Sequence, residues 1–225
     1  MQDFFKKLFI TSLCILSVSC ATQVPIDTDL SAGETLQGNA DEQYKTGNSY
    51  AQQHNYSMAA KYYQASARQG NAKAQYSLGY LYRKGLGVPR NYTYATGWFE
   101  RSANAGNSDA EFSLGMNYFL GQGTTQNYGQ AVNWFTKAAD HGNPYAQNEL
   151  GYMYAAGKGV AQNYPLSLQY YQKASENGLV SAQYNLGLMY QHGLGTELNR
   201  TIAKAWFEKA AAKGFGPAKR ALGQV

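Results

Sequence analysis

One set of residues returns every 36 positions along this chain, in register, four times. It contains Leu78, Gly79 and Tyr82. The equivalents one, two and three periods later are Leu114, Leu150 and Leu186, Gly115, Gly151 and Gly187, and Tyr118, Tyr154 and Tyr190. A fixed period of this length is typical of small supersecondary units that cannot bury their apolar faces alone. The pattern predicts an array of stacked units, and the long surface of such an array favours a binding function.

The first half of one unit, residues 71–106, has the pattern of an amphipathic helix. Ala74, Leu78 and Tyr82 are spaced at i, i+4 and i+8, which places them on one helical face. The segment 85–87, Gly-Leu-Gly, is predicted to end that helix, because glycine accepts the left-handed backbone that a helix end requires.

The second half of the unit predicts a second helix, so that each unit is a helical hairpin. Asn91 is a typical N-cap, Trp98 and Phe99 lie on the apolar face, and Gly106 ends the helix. Gly79 lies inside the first helix, where glycine costs about 1 kcal/mol, and we expect close approach of the paired helix to be the reason. The equivalents of these second-helix residues are Asn127, Asn163 and Asn199, Trp134-Phe135, Tyr170-Tyr171 and Trp206-Phe207, and Gly142, Gly178 and Gly214.

These residues together resemble the Sel1-like repeat, a relative of the tetratricopeptide repeat, over residues 71–215. The resemblance implies an all-α fold, an α/α superhelical solenoid of stacked antiparallel helical hairpins with 36-residue repeats. Departures from the pattern are modest, with Arg200 in place of the Tyr92 type and Ser167 in place of the Ala95 type. The matching motif is Ala74-x3-Leu78-Gly79-x2-Tyr82-x2-Gly85-x-Gly87 followed by Asn91-Tyr92-x2-Ala95-x2-Trp98-Phe99-x3-Ala103-x2-Gly106.

The repeat pattern divides the chain into segments. Residues 43–70 lack the Gly-x-Gly turn and predict a shorter tetratricopeptide-like hairpin that caps the array. Residues 215–225 restart a first helix and predict a half-hairpin cap. The complete division is a signal peptide at 1–19, a flexible acidic tether at 20–42, the capping hairpin at 43–70, repeats at 71–106, 107–142, 143–178 and 179–214, and the half-hairpin at 215–225.

The first nineteen residues predict an export signal. Lys6 and Lys7 precede a short apolar run that ends at Ser19 and is too short for a stable membrane span. The run leads to Cys20, which resembles the lipidated cysteine of a bacterial lipoprotein. Ala21 after it resembles the sorting rule for the outer membrane, so an outer-membrane lipoprotein facing the periplasm is expected. Cleavage after Ala21 remains the alternative and predicts a periplasmic or secreted protein.

Charge is divided unevenly between the tether and the array. Residues 20–42 hold five acids and no Lys or Arg, whereas residues 43–225 hold 17 Lys and Arg against 8 Asp and Glu. The basic array favours an acidic partner or an anionic envelope surface, with plain solubility as the alternative. Membrane contact is expected only through the N-terminal lipid anchor.

The first helix of each unit has a second face, opposite the core positions, whose residues vary between units. In tetratricopeptide repeats this face lines the concave groove, so by resemblance it is the predicted site for a protein or peptide partner. Packing of some of these rings against the neighbouring hairpin stays open as the alternative. The predicted contact residues are Tyr76, Tyr80, Arg83, Lys84, Phe112, Met116, Phe119, Tyr145, Asn148, Tyr152, Tyr184, Leu188, Gln191 and His192.

Chemical machinery is not visible in the sequence. The three histidines are far apart, the cysteines are Cys14 and Cys20 alone, and no nucleophile elbow or nucleic-acid motif appears. We therefore expect no cofactor, no metal, no nucleic acid and no enzymatic activity, although Glu149 stands out as the one acid at its repeat position. The expected function is a non-catalytic envelope-associated scaffold. The alternatives are a peptidoglycan- or glycan-binding protein and a hydrolase acting on envelope substrates.

Overall fold

A computed structural model describes residues 36–224, and these residues contain α-helices and one short 3-10 helix but no strand. The predictions for the signal peptide, for Cys20 and for most of the acidic tether lie outside the described residues. The helices are α1 (Ala40–Gln52), α2 (Tyr56–Arg68), α3 (Ala72–Lys84), α4 (Tyr92–Asn104), α5 (Ser108–Leu120), α6 (Tyr128–Asp140), α7 (Pro144–Ala156), α8 (Tyr164–Glu176), α9 (Val180–His192), α10 (Arg200–Ala212) and α11 (Gly216–Ala221), followed by the 3-10 helix Leu222–Gln224.

The chain divides into two compact units. The N-terminal unit, as far as it is described, comprises residues 36–127 with α1 to α5. The C-terminal unit comprises residues 128–224 with α6 to α11. Within each unit, helices that follow each other in the chain pack together, most extensively in the hairpins α1/α2, α3/α4, α7/α8 and α9/α10. The predicted all-α fold of stacked helical hairpins is therefore confirmed within each unit.

Asparagine side chains fix where the helices begin. The Asn91 side chain accepts a hydrogen bond from the Tyr94 backbone N–H at 3.0 Å, which satisfies a donor that the first helical turn leaves free. Asn39 and Glu42 form a reciprocal capping box, so α1 begins at Ala40, inside the segment that the sequence assigned to the tether. Asparagine caps of the same kind stand at Asn55, Asn71, Asn107, Asn143, Asn163 and Asn199.

The two glycines of each Gly-x-Gly turn have different tasks. Gly85 ends α3 with a φ of 71°, and its backbone N–H donates to the Leu81 carbonyl. Gly87 lies directly on the backbone of Tyr56 at the start of the preceding second helix, where any side chain would collide. The same close contact between a glycine and a tyrosine backbone recurs for Gly123 and Tyr92, Gly159 and Tyr128, and Gly195 and Tyr164.

The glycines inside the first helices allow the paired helices to approach closely, as the sequence predicted. A Cβ atom on Gly79 would lie 2.8 Å from ring carbons of Phe99. A Cβ atom on Gly151 would lie 2.7 Å from the ring of Tyr171, which real Cβ contacts do not reach. The cost of glycine within a helix is thus offset by a large aromatic ring packed against the bare backbone.

A further contact joins α4 to α5 and to the turn after it. The Thr96 hydroxyl on α4 accepts a hydrogen bond from the Asn117 amide at 2.8 Å, and its proton has two acceptors in reach, the Tyr92 carbonyl at 2.8 Å and the Gln122 carbonyl at 3.3 Å. The equivalent position on α10 is Lys204, which is exposed. Arg200 stands where the earlier repeats have the tyrosine whose backbone the turn glycine contacts. At the earlier equivalents of Lys204, Ala60, Thr96 and Val132 are buried and Leu168 is half-buried.

Candidate functional site

The predicted contact residues of the N-terminal unit lie on α3 and α5 and differ in exposure. Tyr80 is 37% exposed and Lys84 is also exposed, so α3 presents an accessible surface. Phe119 on α5 is buried, and its predicted exposure to a partner is wrong because the side chain lies in the core. The half-buried members of the set are Tyr76, Arg83, Phe112 and Met116.

The accessible residues of α3 form a basic aromatic patch, which we define as Tyr76, Tyr80, Arg83 and Lys84. The Arg83 guanidinium lies 5.5 Å from the Tyr80 ring centroid and 5.3 Å from that of Phe99. The Lys84 ammonium lies 5.9 Å from the Tyr80 ring centroid. Cations at these distances are attracted by the ring faces. Both cations therefore lie beside aromatic rings, and the half-buried Arg83 and the exposed Lys84 can attract an acidic group.

Tyr76 anchors this patch to the core. Its ring centroid lies 5.7 Å from that of Phe99 on α4. Burial raises the pKa of the Tyr76 hydroxyl, with a smaller contribution from the negative charge of Asp109, whereas the Arg83 charge lowers it. Tyr76 therefore stays neutral at physiological pH, and the charge of the patch comes from its two cations.

In the C-terminal unit most of the equivalent residues are covered. Tyr184 is 9% exposed, and its ring centroid lies 5.5 Å from those of both Phe207 and Phe215. The predicted exposure of four residues is therefore wrong, because neighbouring helices pack over them: these are Asn148, Tyr152, Tyr184 and Leu188. Tyr145 is 55% exposed, His192 is exposed and Gln191 is half-buried, so a partner could reach these three residues.

A buried polar cluster accompanies this face, and we define it as Asn148, Glu149, Tyr171 and Asn185. The Asn185 amide on α9 donates to the Asn148 side-chain oxygen on α7 at 3.0 Å. The Asn148 amide in turn donates to the Glu149 carboxyl at 3.3 Å. The Asn185 side-chain oxygen is buried and accepts no hydrogen bond from the described residues. The cluster therefore joins two first helices with a network that is only partly satisfied.

The electrostatics of the cluster follow from its burial. Burial raises the pKa of Glu149 to about 7, although the hydrogen bond from Asn148 acts in the opposite direction. Burial also raises the pKa of the Tyr171 hydroxyl well above its usual value of 10, and the neighbouring Glu149 and Tyr152 contribute to that rise. Glu149 is thus the member whose charge changes near neutral pH.

Sequence reasoning singled out Glu149 and placed Asn148 in the predicted contact set, but it did not predict that these two residues lie together with Tyr171 and Asn185. The sequence signal for this cluster was that three residues of one hairpin depart from the repeat pattern together. Asn148 replaces a ring, Glu149 replaces a small polar residue, and Tyr171 replaces a phenylalanine in the Sel1-like units. The residues that stand at these positions in other units are Tyr76, Phe112 and Tyr184, then Ser77, Ser113 and Asn185, then Phe99, Phe135 and Phe207.

One open cavity of about 430 Å³ lies in the N-terminal unit and was not predicted from the sequence. Acidic and basic groups both line it, so its charge favours no single class of ligand. Its lining residues are Asp41, Tyr44, Lys45, Asn71, Ala72 and Lys73.

Residues 36–224 contain no group of three or more His, Cys, Asp or Glu side chains placed to hold a metal ion. Within the same range, each helix is too short or too polar to cross a bilayer. Burial lowers the pKa of His192, which the sequence analysis placed among the predicted contact residues.

The family model described as Sel1 repeat matches five stretches of the chain, at residues 43–71, 72–107, 108–143, 144–179 and 180–215. The first stretch covers the N-terminal hairpin, which the sequence analysis described as a tetratricopeptide-like cap. The other four begin and end one residue later than the repeats predicted above. Comparison with curated proteins gave no match.

Solved structures similar to this chain are also repeat proteins. The protein c5321, described as a protective antigen present in uropathogenic Escherichia coli strains and displaying an SLR fold, is 33% identical with a TM-score of 0.78. The match covers 82% of this chain and 40% of that one, so this chain spans less than half of that relative. A Sel1 repeat protein from Oxalobacter formigenes is 34% identical with a TM-score of 0.76, over 80% of this chain and 72% of that one.

A more distant likeness shows the fold alone. The immunity protein Pa5087 from Pseudomonas aeruginosa is 24% identical with a TM-score of 0.54. That match covers 82% of this chain and 70% of the other.

Proposed function

Because the chain belongs to the Sel1 repeat family, whose members are typically protein-interaction scaffolds, we propose that it is a non-catalytic scaffold of the cell envelope. Its partner binds the basic aromatic patch on α3. That partner is a protein segment with acidic side chains and an apolar surface. The patch offers it two cations, Arg83 and Lys84, beside the exposed ring of Tyr80.

The observation that carries this proposal is the combination of exposure and charge on α3. Tyrosine and arginine are the residue types that contribute most to protein interfaces, since each combines a large contact area with polar groups. Arg83 is held between two rings, so little side-chain entropy is lost when a partner carboxylate binds it. Helix α3 thus presents a preorganised contact.

Partner capture from the native cell tests the binding surface. The wild type, the Tyr80→Ala/Arg83→Ala variant and a Tyr145→Ala control are used as baits, and the captured proteins are quantified by mass spectrometry. Tyr145 is an exposed tyrosine of another first helix, outside the patch. We expect the double substitution to lose partners that the control retains. Equal capture by all three baits would contradict the assignment of the patch.

Envelope location is a separate part of the proposal. It is supported by the signal-like residues 1–19, by Cys20 and by similarity to a relative described as a protective antigen, a property consistent with export. Mass spectrometry of the mature protein from membrane fractions should find an acylated Cys20 at its N-terminus. A Cys20→Ala variant should move to the soluble fraction. A mature chain that starts after Ala21 would contradict the lipoprotein assignment and indicate a periplasmic or secreted protein.

Binding to peptidoglycan has weaker support than binding to protein. Sugars stack on bare aromatic faces, but the rings of Trp134 and Trp206 carry the ammonium groups of Lys137 and Lys209 at 4.0 Å and 4.8 Å from their centroids. Co-sedimentation with purified sacculi at low salt tests this alternative. We expect the protein to stay in the supernatant.

A further inference from the structure

Helix α3 carries one more exposed cation in line with the basic aromatic patch. Lys73, Tyr76, Tyr80 and Arg83 are spaced at i, i+3, i+7 and i+10, which places them along one face of the helix. Lys73 is exposed, so it extends the patch to the first turn of α3. We define the α3 stripe as Lys73 together with the patch. None of its three cations forms an ion pair with a carboxylate among residues 36–224.

The stripe begins at the open cavity of about 430 Å³, which is lined by residues from the N-terminal halves of α1 and α3. The acid of this cavity, Asp41, accepts a hydrogen bond from the Asn71 amide at 2.8 Å. Its two ammonium groups, on Lys45 and Lys73, are exposed and form no ion pair within the described part of the chain. The near end of the stripe can therefore attract a further carboxylate.

The described chain begins beside this end of the stripe. The Leu36 carbonyl accepts a hydrogen bond from the Gln43 side-chain amide at 2.8 Å, so Leu36 lies against the start of α1. The hydrogen bond between Asn71 and Asp41 joins the start of α1 to the N-terminus of α3. The residues that precede Leu36 are thus attached to the molecule where the stripe begins.

Residues 24–34, which we call the acidic segment, have a composition complementary to the stripe. They read Val-Pro-Ile-Asp-Thr-Asp-Leu-Ser-Ala-Gly-Glu, with three acids and no Lys or Arg. Ile26 and Leu30 flank Asp27 and Asp29, so apolar side chains alternate with carboxylates. This is the combination that the cations and the exposed tyrosine of α3 can bind.

The acidic segment is long enough to reach along the stripe. Asp29 precedes Leu36 by seven residues, and an extended chain of that length spans up to about 25 Å. Arg83 lies 12 residues beyond the N-cap of α3, or about 18 Å along the helix axis. Glu34 precedes Leu36 by only two residues, so it reaches the near end of the stripe at Lys73.

We propose that the acidic segment binds along the α3 stripe of its own chain, where its carboxylates pair with the exposed cations. Attachment beside α3 gives it an effective concentration of about millimolar, so the chain's own segment is favoured over that of a second copy. The negative charge of Asp109 on α5 acts on Tyr76, which favours the side of the stripe nearer α1. A partner must then displace the segment, and it competes best with a similar alternation of acids and apolar residues. This regulatory contact rests on the proposed function of the patch.

Photo-cross-linking in the purified mature protein tests this contact. Tyr80 is replaced by the photoreactive residue p-benzoylphenylalanine, and the cross-linked peptides are identified by mass spectrometry. The same replacement at Tyr145, an exposed tyrosine outside the stripe, is the matched control. We expect cross-links to residues 24–34 from position 80 and none from position 145, in a product with the mass of a monomer.

Charge reversal shows whether ion pairs hold the segment. Asp27→Lys/Asp29→Lys and Arg83→Glu/Lys84→Glu should each lower the cross-link yield from position 80 about fivefold, because pairs of opposite charge become pairs of like charge. Combining the four substitutions restores the pairs with reversed sign and should return the yield close to that of the wild type. Such a recovery also excludes misfolding as the cause of either loss.

Three results would overturn the proposal: no cross-link between position 80 and the segment, a yield that charge reversal leaves unchanged, or cross-linked dimers that disappear on dilution. The last would assign the stripe to the segment of a second copy. As a bait, Asp27→Lys/Asp29→Lys should capture about threefold more partner than the wild type, since the competing segment is removed. Equal capture in the presence of the cross-link would refute the partner site on the patch and leave the contact standing, so the two failures are distinguishable.

Discussion

The first helices of the two units use the same repeat positions to opposite effect. On α3 the positions equivalent to the groove of tetratricopeptide repeats hold cations and an exposed tyrosine. On α7 and α9 most of the same face is covered, and a hydrogen bond between the buried Asn185 and Asn148 side chains connects the two helices. The repeat register is the same in both, yet Tyr80 is exposed and its equivalent Tyr152 is buried, so the residue type at a position does not by itself determine exposure. A repeat frame determines where a variable residue stands, but its neighbours determine whether that residue is open to a partner.

Replacing one tyrosine from each face should give the largest contrast in stability. Tyr184→Ala removes a buried ring that contacts Phe207 and Phe215, and we expect it to lower the free energy of unfolding by about 3 to 4 kcal/mol. Tyr80→Ala removes an exposed ring and should cost about 0.5 kcal/mol. Urea denaturation followed by circular dichroism measures both values. Similar costs for the two substitutions would show that the two faces do not differ as described.

The pH dependence of stability should differ between wild type and Glu149→Gln by the next largest amount. The pKa of Glu149 is about 7 in the folded chain against an ordinary 4.5, so the folded state binds more protons than the unfolded state between these values. The stabilising effect is complete below pH 4.5 and is lost as pH rises through 7, with an upper limit of about 3 kcal/mol.

Urea titrations at pH 4.5 and pH 8 measure this difference. The wild type should lose stability relative to Glu149→Gln as pH rises. Glu111→Gln serves as the matched control in the N-terminal unit and should follow the wild type. A parallel pH dependence of wild type and Glu149→Gln would place the carboxyl in a solvated environment and remove the contrast between the two faces.

Charge on the open face should affect partner binding by a smaller amount. Arg83→Gln keeps the polarity of the side chain and removes the cation, and we expect about a tenfold loss of affinity for the captured partner, or about 1.4 kcal/mol. Isothermal titration at two salt concentrations measures the loss and should show a weaker salt dependence in the variant. Lys137→Gln removes a cation from the second-helix side of the C-terminal unit, and its affinity should match the wild type.

Substitutions on the second helices should have equal effects in the two units, because the two units differ in the exposure of their first helices. Arg101 lies 4.8 Å from the ring centroid of Trp98 in the N-terminal unit, and Lys209 lies 4.8 Å from that of Trp206 in the C-terminal unit. Replacing either cation with glutamine should cost about 0.5 kcal/mol of unfolding free energy. Denaturation midpoints of the two variants should agree. A much larger cost in one unit would extend the contrast to the second helices.

The sequence predicted the frame of the fold well because the frame depends on local chemistry. Asn91 specifies a helix start through one hydrogen bond, and Gly79 specifies a close helix approach through the lack of a side chain. Both properties can be recognised from a residue and its period. The family comparison then added the N-terminal hairpin, whose lack of a Gly-x-Gly turn had concealed its likeness to the other repeats.

Exposure on the first helices could not be predicted in the same way, because it depends on contacts between hairpins. Tyr80 and Tyr152 occupy equivalent sequence positions, yet Tyr80 is exposed and Tyr152 is buried. The amide contact from Asn185 to Asn148 spans 37 residues, just over one period, and no single-unit pattern contains it. The departures at Asn148 and Tyr171 were visible in the sequence but had no meaning until the structure placed them together.

The exposed cations of α10, Arg200 and Lys204, affect where the repeat array can be lengthened. A hairpin placed on α10 in the manner of the others would cover Lys204 and meet Arg200, and burying an unpaired ammonium is strongly unfavourable. Tandem duplication that copies an interior hairpin, with Thr96 or Val132 at that position, creates a junction that the existing contacts already satisfy. Adding a hairpin between the interior hairpins should therefore cost less free energy than placing one directly on the face of α10 that carries Arg200 and Lys204.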